Sequence, residues 1–558
     1  MKRIFLVFLG FLVFLVHLEA KVTVTNLRTE RMESPMSLDT PTPRFGWQIA
    51  SDQQGVMQTA YHIIVASTPE KAERCEGDLW DANVKSGQSQ WVRYEGRQLR
   101  ANTRGYWRVS IETNKGKSEW SPVAMFNVGL LNESDWEGQW IGMDHANAWD
   151  KEEEHSQLSA RYLRTEFEVE SKDIRQATLY VSGLGMYEVF INGQKVGDDV
   201  LAPAPTDYRK TVLYNAYDVT EQMKQAQTDL GKAGLGLVLG NGRYYTMQQK
   251  KKPYKITNFG YPKLRLYLII EYADGKRKVI SSSEKWKINA DGAIRSNNEY
   301  DGEIYDATKM FADWTKPGFD DTQWEKAERV AIPLGTLRGA MSPNMKVVKT
   351  LQPKTITQHP TPNTQHPSTI IVDFGQNFAG WLNLRLSGTK AGDTITIRYA
   401  EKLDSAGNLW RENFRHAFST DQYIANGKEN NTWWHPTFVY HGGRYVEIKG
   451  LRSRPLSGDF IAEVVTDAIP TTGTFETTDT ILQKVFHNAY WGVLANYKGL
   501  PVDCPQRDER QPWLGDRTRG CYGEAFLFDN NTLYAKWARD ITEAQREDVE
   551  EALRALFG

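Results

Sequence analysis

A single change of hydrophobic period divides this chain. Up to about Val465 the apolar residues alternate in short runs closed by turn residues, as in Ala60-Tyr-His-Ile-Ile-Val-Ala66, Gly105-Tyr-Trp-Arg-Val-Ser-Ile111, Ala177-Thr-Leu-Tyr-Val-Ser182 and Asp393-Thr-Ile-Thr-Ile-Arg-Tyr399. A period of two places alternate side chains on one face of a strand. After Thr477-Thr-Asp479 the spacing becomes helical. Ile481, Leu482, Val485, Phe486, Ala489, Val493 and Tyr497 recur at three and four residues, with Asp479 or Thr480 placed as N-cap and Gly499 as stop. Leu527, Leu533, Trp537 and Ile541 continue the helical theme. The pattern predicts a multidomain, mainly β chain of several β-sandwich or jelly-roll domains, followed by helices.

At 558 residues the chain is too long for one core. Residues 21–131 read as a β-sandwich. Tyr106-Trp107-Arg108-Val109, with Ser118-Glu-Trp120-Ser121 after it, resembles the last hairpin of a fibronectin type III-like domain. Residues 136–335 open at Trp136-Glu-Gly-Gln-Trp140 and contain Ile191-Asn-Gly-Gln-Lys-Val-Gly197. Asn-Gly between alternating strands is a strong hairpin signal because both turn positions need positive φ. This segment resembles the galactose-binding-like jelly-roll modules of large glycosidases. Gln358-His-Pro and Gln365-His-Pro then repeat within a Pro-rich stretch, and His359 and His366 read as surface loop residues rather than ligands. Residues 340–465 form a further β-sandwich, and residues 470–558 are helical.

Met1-Lys2-Arg3 precedes an apolar run from Ile4 to Leu18 and a loose cleavage pattern at Leu18-Glu19-Ala20. That is the layout of a secretory signal peptide over residues 1–20, and the run is short for a bilayer span. The expected location is therefore exported, periplasmic or secreted, with no stable membrane span after cleavage. Lys and Arg number 68 against 70 Asp and Glu, which leaves no basic surplus for nucleic acid. Cys75, Cys504 and Cys521 are too few and scattered for a disulfide framework or zinc site; only a Cys504–Cys521 bridge stays open. The 18 Trp, 25 Tyr and 22 Phe suit sandwich cores and also platforms on which sugar C–H faces stack.

Between the helical stretches lies Pro501-Val-Asp-Cys-Pro-Gln-Arg-Asp-Glu-Arg-Gln-Pro-Trp-Leu-Gly-Asp516. Its acids are Asp503, Asp508, Glu509 and Asp516, and the bases near them are Arg507, Arg510, Arg517 and Arg519. A solvated loop laced with ion pairs is one reading. Prolines and a glycine around a Trp suggest instead a fixed irregular loop at a helix end, where sites are commonly built.

Asp503-Cys-Pro-Gln-Arg507-Asp-Glu509-Arg510 through Trp513-x-Gly-Asp516 resembles the signature loop of the bacterial α-L-rhamnosidases. Val372-Asp-Phe-Gly-Gln-Asn-Phe-Ala-Gly-Trp381, Ala400-Glu-Lys-Leu-Asp404 and Arg444-Tyr-Val-Glu447 agree with it. The resemblance implies an inverting glycoside hydrolase acting on rhamnose-containing plant polysaccharides or glycosides. The helices would then be the first of an (α/α)6 barrel. It implies Glu509 as general acid, Asp503 and Asp516 as ligands of rhamnose hydroxyls, Arg507 as a sugar-contacting Arg and Trp513 as an aromatic wall. Asp508 could serve as the acid on chemical grounds; only the family position prefers Glu509. An acid that keeps its proton near neutral pH needs its pKa raised, so Arg507 and Arg510 are expected to be turned toward Asp503 or Asp516.

The resemblance has gaps. Asp516-Arg-Thr-Arg519 stands where many members have Gly-Asp-Ala-Gln, and about twelve helices do not fit after Val465. The family's general base lies on a distal helical hairpin with no counterpart in this sequence. The chain is therefore expected to be truncated and, alone, inactive. No cofactor is required. Calcium in a carbohydrate-binding module is compatible with fold analogy, but no ligand run marks a site and none is assigned. The alternatives are a non-catalytic carbohydrate-binding protein, or an unrelated helical-barrel glycosidase or lyase.

Overall fold

The computed structural model describes residues 22–151, 157–245, 258–359, 369–452 and 455–545. The signal-peptide reading, most of the Gln-His-Pro repeat and the last residues of the chain lie outside these. The three cysteines are free, so Cys504 and Cys521 are not bridged.

The chain forms two compact units, one holding 1–35 with 41–127 and the other 36–40 with 128–558. In the first, a three-stranded sheet (Val22–Thr29, Arg44–Ser51, Val92–Arg93) accompanies a five-stranded one centred on Gln58–Ala66 and Arg104–Thr113. A short helix, α1 (Pro69–Glu73), is capped by Thr68. Trp47, Trp107, Phe45 and Phe126 are buried, and the Trp107 indole donates to Thr29 Oγ1 at 3.1 Å. The alternation seen in the sequence thus builds a sandwich core.

The second unit opens with a six-stranded and a seven-stranded sheet. Strands Ile174–Leu184 and Lys263–Tyr272 pair along their length and are buried almost throughout, as central strands covered on both faces must be. Helix α2 (Thr220–Asp229) lays Met223 and Ala226 on this core. Asn192 and Gly193 take φ of 49° and 87° between Met186–Ile191 and Gln194–Lys195, the type I′ geometry that Asn-Gly supplies.

A ten-stranded sheet follows. Its strands Ile294–Asn298 and Gly302–Asp306 lie in sequence inside the 136–335 segment. Gly302–Asp306 nevertheless pairs in parallel with Thr420–Ile424 of the next sandwich, a long-range pairing that local alternation does not encode. Thr369–Ser387 crosses this sheet with a break in register between Asp373 and Phe378. At Gly380 (φ 155°) a Cβ would stand 1.8 Å from the Glu463 carbonyl oxygen, so only glycine lets these strands approach. Trp381 is buried next to it and donates to Glu463 Oε2 at 2.7 Å.

Three helices lie over this sheet: α3 (Thr480–Ala495), α4 (Leu514–Leu527) and α5 (Asn531–Glu543). Asp479 caps α3, its carboxylate accepting from the Ile481 and Leu482 N–H groups. Leu494, Tyr497, Phe528 and Leu533 join the sheet's core. The other faces of α3 and α4 show Ile481, Leu482, Val485, Tyr522 and Phe526 to solvent. Among the described residues no helix is long and apolar enough to cross a membrane.

Candidate active site

The 501–513 loop is shaped mainly from below. Arg510, wholly buried, donates to the carbonyls of Glu299 (2.5 Å), Tyr440 (3.0 Å), Arg507 (3.1 Å) and Gln506 (3.3 Å). It also lies over the rings of Tyr300 and Tyr440. Arg243 forms two 2.8 Å bonds with Glu299 and one of 2.7 Å with the Arg510 carbonyl. Burial works against the charge of Glu299, but Arg243, Arg510 and Tyr440 outweigh it and hold the carboxyl below its usual range. From the helical side, Arg517 on α4 donates to Pro501 O (3.1 Å), Val502 O and Glu524 Oε1 (2.6 Å). Charge-assisted bonds on both sides fix the loop.

The segments that accompanied the signature loop in sequence explain themselves here. Glu401 of Ala400-Glu-Lys-Leu-Asp404 accepts from Gln506 Nε2 at 3.0 Å and from Asn413 Nδ2 at 2.7 Å. Arg444 grips Asp373 with two 2.7 Å bonds and joins two of the quoted segments to each other. Glu401 thus helps to seat the loop through Gln506.

On this base Arg507 bridges two carboxylates, donating to Asp503 Oδ2 and Glu509 Oε2, each at 2.9 Å. Asp503 Oδ1 accepts from the Gln511 N–H at 2.7 Å. Burial disfavours the Arg507 charge, but Cys504, Glu509 and Asp503 outweigh it and raise its pKa. Trp513, 39% exposed, donates its indole N–H to Glu509 Oε1 at 2.8 Å. Glu509 is 8% exposed and Asp508 1%. Asp508 accepts from the His416 N–H at 3.4 Å, while its Oδ1 lies in a salt bridge 3.9 Å from Arg415. Burial, and the contact with Asp503, push the Cys504 thiol up to about 12, so it is not a nucleophile at neutral pH.

Four of the five singled-out residues thus meet: Asp503, Arg507, Glu509 and Trp513. Asp516 does not join them; it is exposed in the first turn of α4 and makes no hydrogen bond or ion pair with described residues. Of the two arginines expected to turn toward Asp503 or Asp516, Arg507 does reach Asp503 but holds Glu509 as well, and Arg510 turns to backbone carbonyls instead. A second guanidinium, unforeseen, also reaches Glu509: Arg415 Nη1 donates to Oε2 at 3.0 Å. It comes from the ten-stranded sheet's 411–419 loop, where Arg415 has φ 55°. Nothing in Arg411-Glu-Asn-Phe-Arg415 marks it in sequence, because the contact spans 94 residues.

Asp503, Cys504 and Glu509 bring ligand atoms within 4.8 Å of one another. The donor set does not fit calcium: it includes a thiol, and both carboxylates are already engaged by Arg507.

Comparison with known proteins gives one answer along the chain. Residues 24–132 match the Rha78A-like N-terminal immunoglobulin domain, and 172–349 the alpha-L-rhamnosidase N-terminal domain. Residues 363–466 match the bacterial alpha-L-rhamnosidase concanavalin-like domain, and 470–553 its 6 hairpin glycosidase domain. An α-L-rhamnosidase of Formosa agariphila is 34% identical over 91% of this chain and 54% of its own length. One from Alteromonas sp. is 32% identical over 95% and 56%. The chain therefore spans about half the length of the curated relatives it matches. The structure of an α-L-rhamnosidase from Dictyoglumus thermophilum superposes with TM-score 0.85 at 35% identity, over 94% of this chain and 58% of that one. The Streptomyces avermitilis enzyme, solved with L-rhamnose, gives 0.84 at 26% identity, over 94% and 65%.

Proposed function

The chain belongs to the bacterial α-L-rhamnosidase family, and from that premise we propose that its 501–513 loop binds a terminal α-L-rhamnosyl residue and carries the general acid for its hydrolysis with inversion. The observation that supports this most is the convergence of Asp503, Arg507 and the Trp513 indole on Glu509. A rigid carboxyl beside a half-exposed indole, flanked by a carboxylate and a guanidinium, can hold a sugar hydroxyl and address a glycosidic oxygen together.

In this reading Glu509 gives its proton to the glycosidic oxygen as the C–O bond breaks. Water attacks the anomeric carbon from the opposite face, and its proton goes to a second carboxylate, releasing β-L-rhamnose. Asp503 and Arg507 bind hydroxyls, Trp513 walls the ring, and Asp516 comes to the sugar from the start of α4. Two guanidiniums on Glu509 favour its ionised form, so sugar binding draws Arg507 or Arg415 away before the carboxyl acts as acid. Asp508 is the poorer candidate, being the more deeply buried.

No residue of this chain is assigned as the base. Turnover by these 558 residues alone is expected to fall at least about 10²–10⁴-fold below that of a site with both groups. Export by the N-terminal segment completes the reading.

The test is hydrolysis of a rhamnosyl-glucose disaccharide and of 4-nitrophenyl α-L-rhamnoside, with the first anomer identified by NMR. Any turnover should give β-L-rhamnose first. Glu509→Gln should abolish it on the disaccharide and spare part of it on the nitrophenyl substrate, whose leaving group needs little protonation. An α-anomer first, or greater damage from Asp508→Asn, overturns the assignment. Rhamnose binding with no turnover even by a version extended through the whole barrel favours the non-catalytic alternative.

A further inference from the structure

Beside the signature loop the ten-stranded sheet carries a cavity of about 280 Å³, large enough for one pyranose. Its floor follows from register. Ser296 pairs with Ile304, and Ile304 with Gln422, so these three side chains form a row across three strands. Gly302 and Thr420 lie two residues along on the same face. Gly302 (φ 113°) has no room for a Cβ, which would stand 2.1 Å from the Thr420 carbonyl oxygen, so the two strands approach closely here. Gln157 and Phe418 stand at its edge.

Phe418 is 56% exposed, a costly place for a phenyl ring. Its backbone is nevertheless fixed: the Phe418 carbonyl accepts from Thr420 Oγ1 at 2.7 Å and from the Arg411 guanidinium. The Ser419 N–H is bound to Tyr300 O at 2.9 Å. An anchored aromatic face above a floor of hydroxyl and amide groups is the chemistry that holds a neutral sugar: C–H faces on the ring, hydroxyls on the amides. The side chains of Gln157 and Gln422 make no hydrogen bond with described residues, which leaves both amides available.

The cavity is also tied to Glu509. Phe418 is three residues from Arg415, about 10 Å of chain at most, and Arg415 bonds Glu509. Ser419 Oγ reaches the Gln506 carbonyl at 3.4 Å, and Tyr300, next to cavity-lining Asp301, donates to the Glu509 carbonyl at 3.4 Å.

We propose that this cavity is a saccharide subsite that takes the neutral pyranose to which the terminal rhamnose is attached, with Phe418 as platform and Gln422 as hydroxyl ligand. The subsite rests on the proposed function for its connection to rhamnose, not for its own sugar chemistry.

The test compares affinities by titration calorimetry and saturation-transfer NMR for L-rhamnose, methyl β-D-glucoside and an S-linked rhamnosyl-glucose disaccharide that cannot be hydrolysed. The disaccharide should bind about tenfold more tightly than L-rhamnose. Phe418→Ala and Gln422→Ala should each remove most of that advantage while leaving L-rhamnose affinity unchanged. Both alter side chains outside the buried core, and an unchanged near-ultraviolet spectrum verifies the fold. Equal binding of disaccharide and L-rhamnose, or an advantage indifferent to both variants, overturns the subsite. Should L-rhamnose itself not bind, the proposed function fails instead. The glucoside then decides: binding lost in Phe418→Ala upholds the subsite, and no binding overturns it.

Discussion

The underside of the 501–513 loop and the outward faces of α3 and α4 are close in sequence and opposite in physics. Under the loop, Arg510, Glu299, Arg243 and Tyr440 form a buried polar network in which each charge is paired or hydrogen-bonded. On α3 and α4, Ile481, Leu482, Val485, Tyr522 and Phe526 face solvent. The site is therefore held by the sheets beneath it and by Arg517, not by what covers the helices. Its shape and the stability of the outward helical faces should separate under mutation.

The largest effect is expected at Arg510. Arg510→Met leaves four carbonyls and the Glu299 network short of a buried donor, which should cost about 3–5 kcal/mol in denaturant unfolding followed by Trp fluorescence. A loss under about 1 kcal/mol would mean the loop is not held from below. The next comparison lies within the helices. Leu533→Ala, on the buried face of α5, should cost about 2–5 kcal/mol. Val485→Ser, on the exposed face of α3, should stay within about 0.5 kcal/mol. Similar losses for the two would erase the distinction between the faces.

Glu303 sharpens the comparison through pH. It is wholly buried in the sheet and accepts from the Thr437 and Phe438 N–H groups at 3.0 Å. Burial dominates and pushes its carboxyl up to about 8. A raised folded-state pKa means that its stabilisation is complete below the unfolded value and is lost as pH rises through about 8. Glu303→Gln should flatten the decline in stability between about pH 5 and 8, by at most about 1.4 kcal/mol per pH unit. Parallel wild-type and variant curves would contradict it.

The smallest effect is at Asp373, held below its usual range chiefly by Arg444. This depressed carboxyl contributes above its unfolded pKa and loses the contribution as pH falls through the folded value. Asp373→Asn should cost under about 1 kcal/mol at pH 7, and the cost should shrink as the pH falls through the depressed folded-state value. A cost that persists in acid would assign Asp373 a role other than its ion pair.

Much of this was legible wherever a local rule governs. Asn192-Gly193 announced its turn, and Asp479 or Thr480 a cap that Asp479 provides, because turns and caps are short-range. The cluster was legible through the resemblance, which implied Asp503, Arg507, Glu509, Trp513 and Asp516; the first four close on one another within eleven residues. The rest depends on chain distant in sequence. Arg415 and the Glu299–Arg243 pair reach the loop from 94 and more residues away. The pairing of Gly302–Asp306 with Thr420–Ile424 joins regions that alternation alone assigns to different domains. Arg507 shows the limit of charge reasoning: two acids compete for one guanidinium, and it serves both.

Whether a loop so held binds rhamnose, as proposed, is decided by titration calorimetry of the 558-residue chain with L-rhamnose. Saturable binding is expected, abolished by Arg507→Met and unchanged by Val485→Ser. No saturable binding, or binding indifferent to Arg507→Met, would contradict it.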